Sequence, residues 1–308
     1  MHSIITKIIE NIIPHAIESG IFTTKIPDLE IIRSDCTTEE LWTLHKPAMC
    51  IVLQGKKRVI LGRQIFDYDP SKYLSVSFDL PLTGQVIEAS KQEPYLCIKL
   101  NIDSSILADL VVATNDRQKV ESSISSGLRI EQATQDILDP IMRLTSLLNN
   151  PEDIEFLAPL IKREILYRLL SKPAGHHLIA QSLGIGKSKQ IAKAIAWIKV
   201  NANKPFSAET VAREAHLSLS AFHKHFKIIT LMSPLQFQKN LRLQEARRLM
   251  AFEGVDATTA SSLVGYESPS QFNREYKRAY GASPKADVSV LIKNNATLLF
   301  INPSHNDD

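Results

Sequence analysis

The chain has 308 residues, 44% of them hydrophobic and 22% charged, with 36 Lys+Arg against 33 Asp+Glu and a net charge of +3. That balance excludes bulk disorder and leaves room for two cores of roughly 150 residues each. Cys36, Cys50 and Cys97 form an odd, widely spaced set without a Cys-x-x-Cys, which argues for reduced thiols and against a disulfide framework. No apolar run approaches the ~18 residues that a membrane span requires.

The first element is helical. Ile4, Ile5, Ile8, Ile9, Ile12 and Ile13 recur at helical spacing and are interrupted by Thr6, Lys7, Glu10 and Asn11, so this is an amphipathic helix rather than a signal peptide, and a cytoplasmic protein is expected. From about Ile31 to Asn101 the pattern is short and β-like. Cys50 to Leu53, Val59 to Leu61, Ile65 to Tyr68, Tyr73 to Phe78, Gln85 to Glu88 and Tyr95 to Leu100 are apolar or β-branched runs, punctuated by Gln54-Gly55-Lys56, Gly62-Arg63 and Asp69-Pro70. Such spacing predicts an antiparallel β-barrel or sandwich.

From about Ser104 to Lys172 the period turns helical. Ile137, Ile141, Leu144, Leu147 and Leu148 form one stripe, and Leu160, Ile161, Ile165, Leu166, Leu169 and Leu170 another. These helices could cover the barrel or pair with a second copy of the chain. Lys172-Pro173-Ala174-Gly175 opens a linker. The expected division is therefore a regulatory domain at 1–172, a linker at 173–188, an all-α domain at 189–291 and a frayed tail at 292–308. Gly184-Ile185-Gly186-Lys187-Ser188 lacks the first glycine of a phosphate-binding loop, Gln181 standing in its place, and no hydrophobic strand precedes it.

The charge is unevenly placed. Between Lys187 and Asp287 lie 16 basic and 8 acidic residues, which leaves 20 basic and 25 acidic elsewhere. A basic C-terminal segment on a mildly acidic body points to a polyanion-binding module.

Two helix-turn-helix units are written into that segment. In the first, Ser207 is the N-cap, Val211, Ala212 and Ala215 face inward, His216-Leu217 makes the turn, Ser218 caps the second helix, and Phe222 and Phe226 anchor it at i and i+4. In the second, Asp256 to Val264 is the first helix, with Ala260, Leu263 and Val264 inward. Gly265 suits a left-handed turn, Ser268-Pro269 starts the next helix, and Phe272 and Tyr276 repeat the anchor pair. Between the units, Pro234 to Ala251 carries Leu235, Leu241, Ala246 and Leu249. As a straight helix of ~27 Å it would hold two recognition helices about one DNA turn apart.

The stretch from Ser233-Pro234-Leu235 through Glu245-Ala246-Arg247-Arg248-Leu249, followed by Val264-Gly265-Tyr266-Glu267-Ser268-Pro269-Ser270-Gln271-Phe272, resembles the signature of AraC/XylS-family transcription regulators. Cys50 to Gly62, Tyr73 to Ala89 and Glu93 to Leu100 are similar to the cupin-like regulatory domain of that family. The resemblance implies an α+β chain, a cupin-like antiparallel barrel with helices followed by the two-unit all-α domain. It also implies double-stranded DNA and a small-molecule effector as partners. Activation through RNA polymerase is common in the family, and repression is equally compatible with this sequence. Many members carry glycine just before Met232-Ser233-Pro234. Here Leu231 stands there, and a left-handed leucine costs of the order of 1 kcal/mol, so a different turn is expected.

Outward positions of the first unit are Ser220, Ala221, His223, Lys224 and Lys227; those of the second are Ser270, Gln271, Asn273, Arg274 and Lys277. Arg274 suits bidentate contact with guanine, and Gln271 suits either adenine or a capping box with Ser268. Lys227, Lys277 and Arg278 suit phosphate. His223 and His225 point to different helix faces and do not share an ion. In the barrel, Val52, Gln54, Val59, Leu61, Tyr95 and Ile98 are the candidates for an inward, effector-facing surface, although plain hydrophobic packing is the favoured reading of any single one. His45 stands alone, without the His-x-His of metal-dependent cupin oxygenases, so no metal, cofactor or catalysis is expected. The expected function is that of a ligand-responsive, sequence-specific DNA-binding regulator, acting as a homodimer away from membranes. The alternatives are a cupin-type enzyme fused to a DNA-binding domain, and an architectural DNA binder.

Overall fold

The computed structural model describes residues 2–114, 126–172, 175, 178 and 186–293. Most of the expected linker at 173–188, with Gly184 and Ile185, and nearly all of the expected tail at 292–308 lie outside the described residues. Gly175 and Leu178 are helical, and Leu178 is buried in the N-terminal core.

The isoleucine stripe forms α1 (His2–Ile12) and buries Ile5, Ile8 and Ile12. Nine strands follow: β1 (Gly20–Thr23), β2 (Leu29–Ser34), β3 (Leu41–His45), β4 (Ala48–Gln54), β5 (Lys56–Leu61), β6 (Gln64–Tyr68), β7 (Lys72–Val76), β8 (Leu80–Glu88) and β9 (Tyr95–Asn101). Next come α2 (Ser104–Thr114), β10 (Leu128–Gln132), α3 (Gln135–Ser146) and α4 (Ile154–Leu170). Every ladder is antiparallel. One sheet runs β1-β2-β9-β4-β7-β10 and the other β3-β8-β5-β6. Among the described residues the two sheets share no ladder, so the expected barrel is present in open form.

Strand alternation sorts the core into two layers. Met49, Ile51 and Leu53 of β4 and Leu96, Ile98 and Leu100 of β9 pack against α1, α3 and α4. Cys50 and Val52 of β4, with Tyr95 and Cys97 of β9, face the second sheet together with Val59, Leu61 and Tyr68. A strand buried on both faces reads as a continuous apolar run, which is why β4 was conspicuous in the sequence. The same alternation corrects one assignment: Ile98 faces the helices, not the space between the sheets.

Strand β10 falls where helical periodicity was expected. It pairs with β7 at the sheet edge and buries only Leu128 fully, so it carries little alternation to be read. Leu160, expected on the buried stripe of α4, is 65% exposed, because Ile161, Ile165 and Leu169 define the buried face.

The C-terminal region comprises α5 (Gly186–Val200), α6 (Ala208–Glu214), α7 (Leu219–Thr230), α8 (Pro234–Phe252), α9 (Ala257–Leu263), α10 (Pro269–Tyr280) and α11 (Pro284–Lys293). With 19 residues, α8 is about 28 Å long. Leu263, expected inward, is 54% exposed, and Leu235 of the apolar stripe is 45% exposed; the buried faces run through Ala260 and Val264, and through Phe237 and Leu241. The first unit is not a separate globule. Val211, Phe222, Phe226, Ile229 and Met232 belong to the same apolar cluster as the inter-sheet residues Val76, Phe78 and Leu80. Lys199 of α5 pairs with Asp79 of the barrel, and Trp42 of β3 meets Tyr280 of α10 edge-on at 5.6 Å.

Candidate nucleic-acid interface

Each unit begins with side-chain caps on its helices. Ser207 accepts from Thr210 N (3.2 Å), Ser218 from Ala221 N (3.3 Å), Asp256 from Thr258 N and Thr259 N (2.9 and 3.1 Å), and Ser268 from Gln271 N (3.4 Å). These bonds satisfy amides that have no partner within the helix. The turns close alike. Leu217 N donates to Ala212 O (2.8 Å) and Tyr266 N to Ser261 O (2.9 Å), each over a left-handed residue, His216 (φ +54°) and Gly265 (φ +85°). From these turns α7 and α10 project, fixed by fully buried Phe222 and Phe226 and by Phe272 and Tyr276, the two pairs at ring separations of 5.4 Å.

With those anchors inward, the opposite faces are open. Ser220, His223, Lys224 and Lys227 are exposed on α7, with Ala221 half-buried beside them. Ser270, Asn273, Arg274 and Lys277 are exposed on α10. Gln271 is half-buried and does not fold back into a capping box. Its Nε2 donates to Glu275 Oε1 at 3.2 Å. Glu275 also accepts from Lys239 Nζ of α8 (2.7 Å) and from Tyr266 OH (2.9 Å). Burial opposes its ionisation, but those donors outweigh it and hold the carboxyl below its ordinary range. Burial, with Lys187 and Lys224 nearby, lowers the His225 imidazole, so it stays uncharged at neutral pH.

The basic count overstates the charge that reaches solvent. On α8, Lys239 pairs with Glu275, Arg247 with Asp287, Arg248 with Glu245 and Glu253, and Arg242 binds backbone carbonyls. Five of the cations left open lie on the recognition helices, Lys224, Lys227, Arg274, Lys277 and Arg278, and others, Lys187, Lys189, Lys193, Lys204, Arg213 and Lys285, lie on the elements around them. Sequence reasoning missed the internal roles of Arg242 and Arg247, because their partners lie 23 to 40 residues away in the chain.

Leu231 adopts the left-handed turn after all, with φ +57° and its N–H donating to Lys227 O at 2.9 Å; Gly281 closes α10 in the same way. What holds a leucine there is packing. Its neighbours Thr230 and Met232 are buried, the Thr230 hydroxyl donates to Phe226 O (2.8 Å), and Gly127 N of the barrel donates to Ile229 O (2.9 Å). Gly62, in the β5–β6 turn at φ +63°, lies so close that a Cβ there would stand 2.4 Å from the Leu231 carbonyl oxygen.

Between the sheets is a cavity of about 100 Å³ lined by apolar Ile21, Ile32, Leu44 and Val86 and by polar His45, Lys57 and Tyr95. Of the six residues expected to face an effector, Tyr95 lines it. Val52, Val59 and Leu61 pack in the inter-sheet core around it, Gln54 is held at the rim by a bond to Pro94 O (2.9 Å), and Ile98 faces away.

An open two-sheet regulatory domain joined to paired helix-turn-helix units defines a class of DNA-binding regulators. Residues 25–177 match the family model for the AraC-type transcriptional regulator N-terminus, and residues 211–287 match a helix-turn-helix domain model. The chain belongs to the AraC family of transcription regulators. It is 26% identical over 113 residues to the transcriptional regulator CdhR of Pseudomonas aeruginosa, 37% of this chain and 33% of that protein. It is 22% identical over 192 residues to the transcriptional activator RhaS of Escherichia coli, 59% of this chain and 69% of that protein. The match thus spans about a third of CdhR. Its fold is similar to that of ToxT from Vibrio cholerae, with a TM-score of 0.57 at 12% identity over 85% of this chain and 97% of that one. Among the described residues no helix is long and apolar enough to cross a membrane.

Proposed function

We propose that the protein is a sequence-specific, effector-responsive transcription regulator that reads two successive major grooves through α7 and α10. The observation that carries this reading is the duplication: two capped, aromatic-anchored helices with open polar faces, joined by a helix of about 28 Å. Ser220, Ala221, His223 and Lys224 face bases in one groove; Ser270, Gln271, Asn273 and Arg274 face them in the next. Lys227 and Lys277 hold phosphates. Selection of bound duplexes from a random pool tests it, and two short blocks about 10 base pairs apart are expected. Uniform binding of all sequences would instead mean an architectural role. The name of RhaS supports activation, with RNA polymerase as the contact, in the cytoplasm where free thiols persist.

The inter-sheet cavity is the proposed effector site. Lys57 lies with its Nζ 6.0 Å from the Tyr95 ring centroid, at the wall of the cavity. With Glu30 of the lining already paired to Lys99, Lys57 is the cation left to a ligand, which favours a small acid, and a ToxT structure carries an unsaturated fatty acid. Thermal unfolding with carboxylates and their matching amides checks this. Carboxylates at ~100 times their Kd are expected to stabilise by ~2.7 kcal/mol, amides not, and Lys57→Met abolishes the difference. Equal responses from acids and amides would refute it.

The proposed homodimer interface is the outer face of α4, where Phe156, Leu160 and Tyr167 are 72%, 65% and 49% exposed. Large apolar side chains exposed along one helix fit self-association. Sedimentation of Leu160→Glu is expected to give a monomer where the parent chain gives a dimer; a monomeric parent ends the assignment.

A further inference from the structure

The two helix-turn-helix units touch each other, and one side chain organises the contact. Arg242 lies midway along α8. Its Nε donates to Ala202 O at 2.6 Å and its Nη2 to Lys204 O at 2.7 Å, both in the loop between α5 and α6 of the first unit. Its Nη1 donates to Gly265 O at 2.7 Å, in the turn of the second unit. The guanidinium also lies over the Tyr266 ring, 5.7 Å from its centroid. One turn earlier, buried Gln238 donates from Nε2 to the same carbonyls of Ala202 and Lys204, at 3.0 and 2.8 Å. The backbones meet as well: a Cβ on Gly265 would stand 1.9 Å from Asn203 O. The units are therefore not two beads on a rod. A planar fork with several donors can bind three carbonyls from two units at once, and a lysine ammonium cannot reproduce that geometry.

We propose that Arg242 is the positioning residue that sets the distance and angle between the two recognition helices, and thereby the half-site spacing the protein accepts. The spacing part rests on the two-groove reading above. One inserted base pair shifts the second half-site by ~3.4 Å and turns it by ~35°, which a clamped pair cannot follow and a pair without the Arg242 bonds can absorb by bending.

The test uses the full chain and has two readouts. The first is DNA affinity on operators whose spacer is lengthened or shortened by one base pair. The parent protein is expected to lose ~10-fold or more, comparable to one mismatched contact, whereas Arg242→Met loses less than ~3-fold and keeps the same base preferences within each half-site. The second is independent of DNA: the distance distribution between spin labels at Glu214→Cys and Lys285→Cys in a Cys36→Ser background. It should be narrow in the parent and broadened by Arg242→Met. If Arg242→Met fails to fold, Arg242→Lys takes its place with the same expectations. An equally narrow distribution in the variant overturns the proposal, as does an unchanged spacer penalty in a folded variant. Failure to select a two-block motif would overturn the two-groove reading instead, and the label distances would still judge the clamp.

Discussion

Asp287→Ala is expected to destabilise the second helix-turn-helix unit by about 3–5 kcal/mol, the range for removing one partner of a buried ion pair. Asp287 lies on α11 and binds two other helices. Both its oxygens accept from Arg247 of α8, each at 2.7 Å, and Oδ2 accepts from Tyr276 OH of α10 at 2.7 Å. The paired side chains are only 8% and 11% exposed, so water cannot replace the lost carboxylate. The arginine also stacks on Tyr280, with Cζ 4.4 Å from the ring centroid, so losing its carboxylate disturbs the aromatic row of Phe272, Tyr276 and Tyr280 that seats α10. Hydrogen exchange read segment by segment is the suitable measurement, since a chain with two cores need not unfold in one step. Protection should fall in α10 and α11 and persist in α7. In DNA selection, the block read by α10 should fade while the block read by α7 remains. Asp287→Asn keeps the shape and the Tyr276 bond, so its loss should be smaller. A change below ~1 kcal/mol for Asp287→Ala would mean that apolar packing alone joins the three helices.

Arg274→Ala is expected to cost ~1–3 kcal/mol of discrimination at one base position, a factor of roughly 5 to 150, while leaving the other positions of the operator unchanged. Its side chain is exposed on the open face of α10, one turn from the N-terminal end that enters the groove, and can pair bidentately with a guanine. Lys227→Ala is the control. Lys227 sits in the last turn of α7, away from the base-facing end, and should touch only phosphate. Its loss should weaken all sequences alike and lower the slope of log K against log[salt] by ~0.9. Binding titrations of both variants on the selected operator and on single-base variants, at two salt concentrations, separate the effects. If Arg274→Ala shifts only the salt slope, then α10 contacts the backbone and another residue reads the base.

Neither outcome depends on the barrel, yet the barrel is not remote. The carbonyl end of α7 rests on Gly62 and Gly127, and the first unit shares its apolar core with the inter-sheet layer that surrounds the cavity. An effector that alters inter-sheet packing therefore acts on the seat of a recognition helix through direct contact. Such a ligand shifts the balance only as far as its affinities for the two arrangements differ.

The sequence by itself determined whatever depends on a few neighbouring residues. Caps at Ser207, Ser218, Asp256 and Ser268 act on amides two or three residues ahead, aromatic pairs at i and i+4 mark a buried helix face, and Gly265 and Gly281 announce left-handed turns. Strands β4 to β9 were marked by turn residues between apolar runs. Tertiary structure alone decided which face of β9 looks into the cavity, because alternation fixes two faces without saying which is inner; Ile98 and Tyr95 fell on opposite sides. It also decided that β10 would be an edge strand and that Leu231 would accept a glycine's backbone angles, since the Gly62 and Gly127 contacts that press on that turn come from the barrel, far away in the chain. The same holds for Arg242. Its three carbonyls lie 23 to 40 residues away, so its sequence context shows an ordinary helix cation, and only the packed fold makes it the joint between two DNA-reading units.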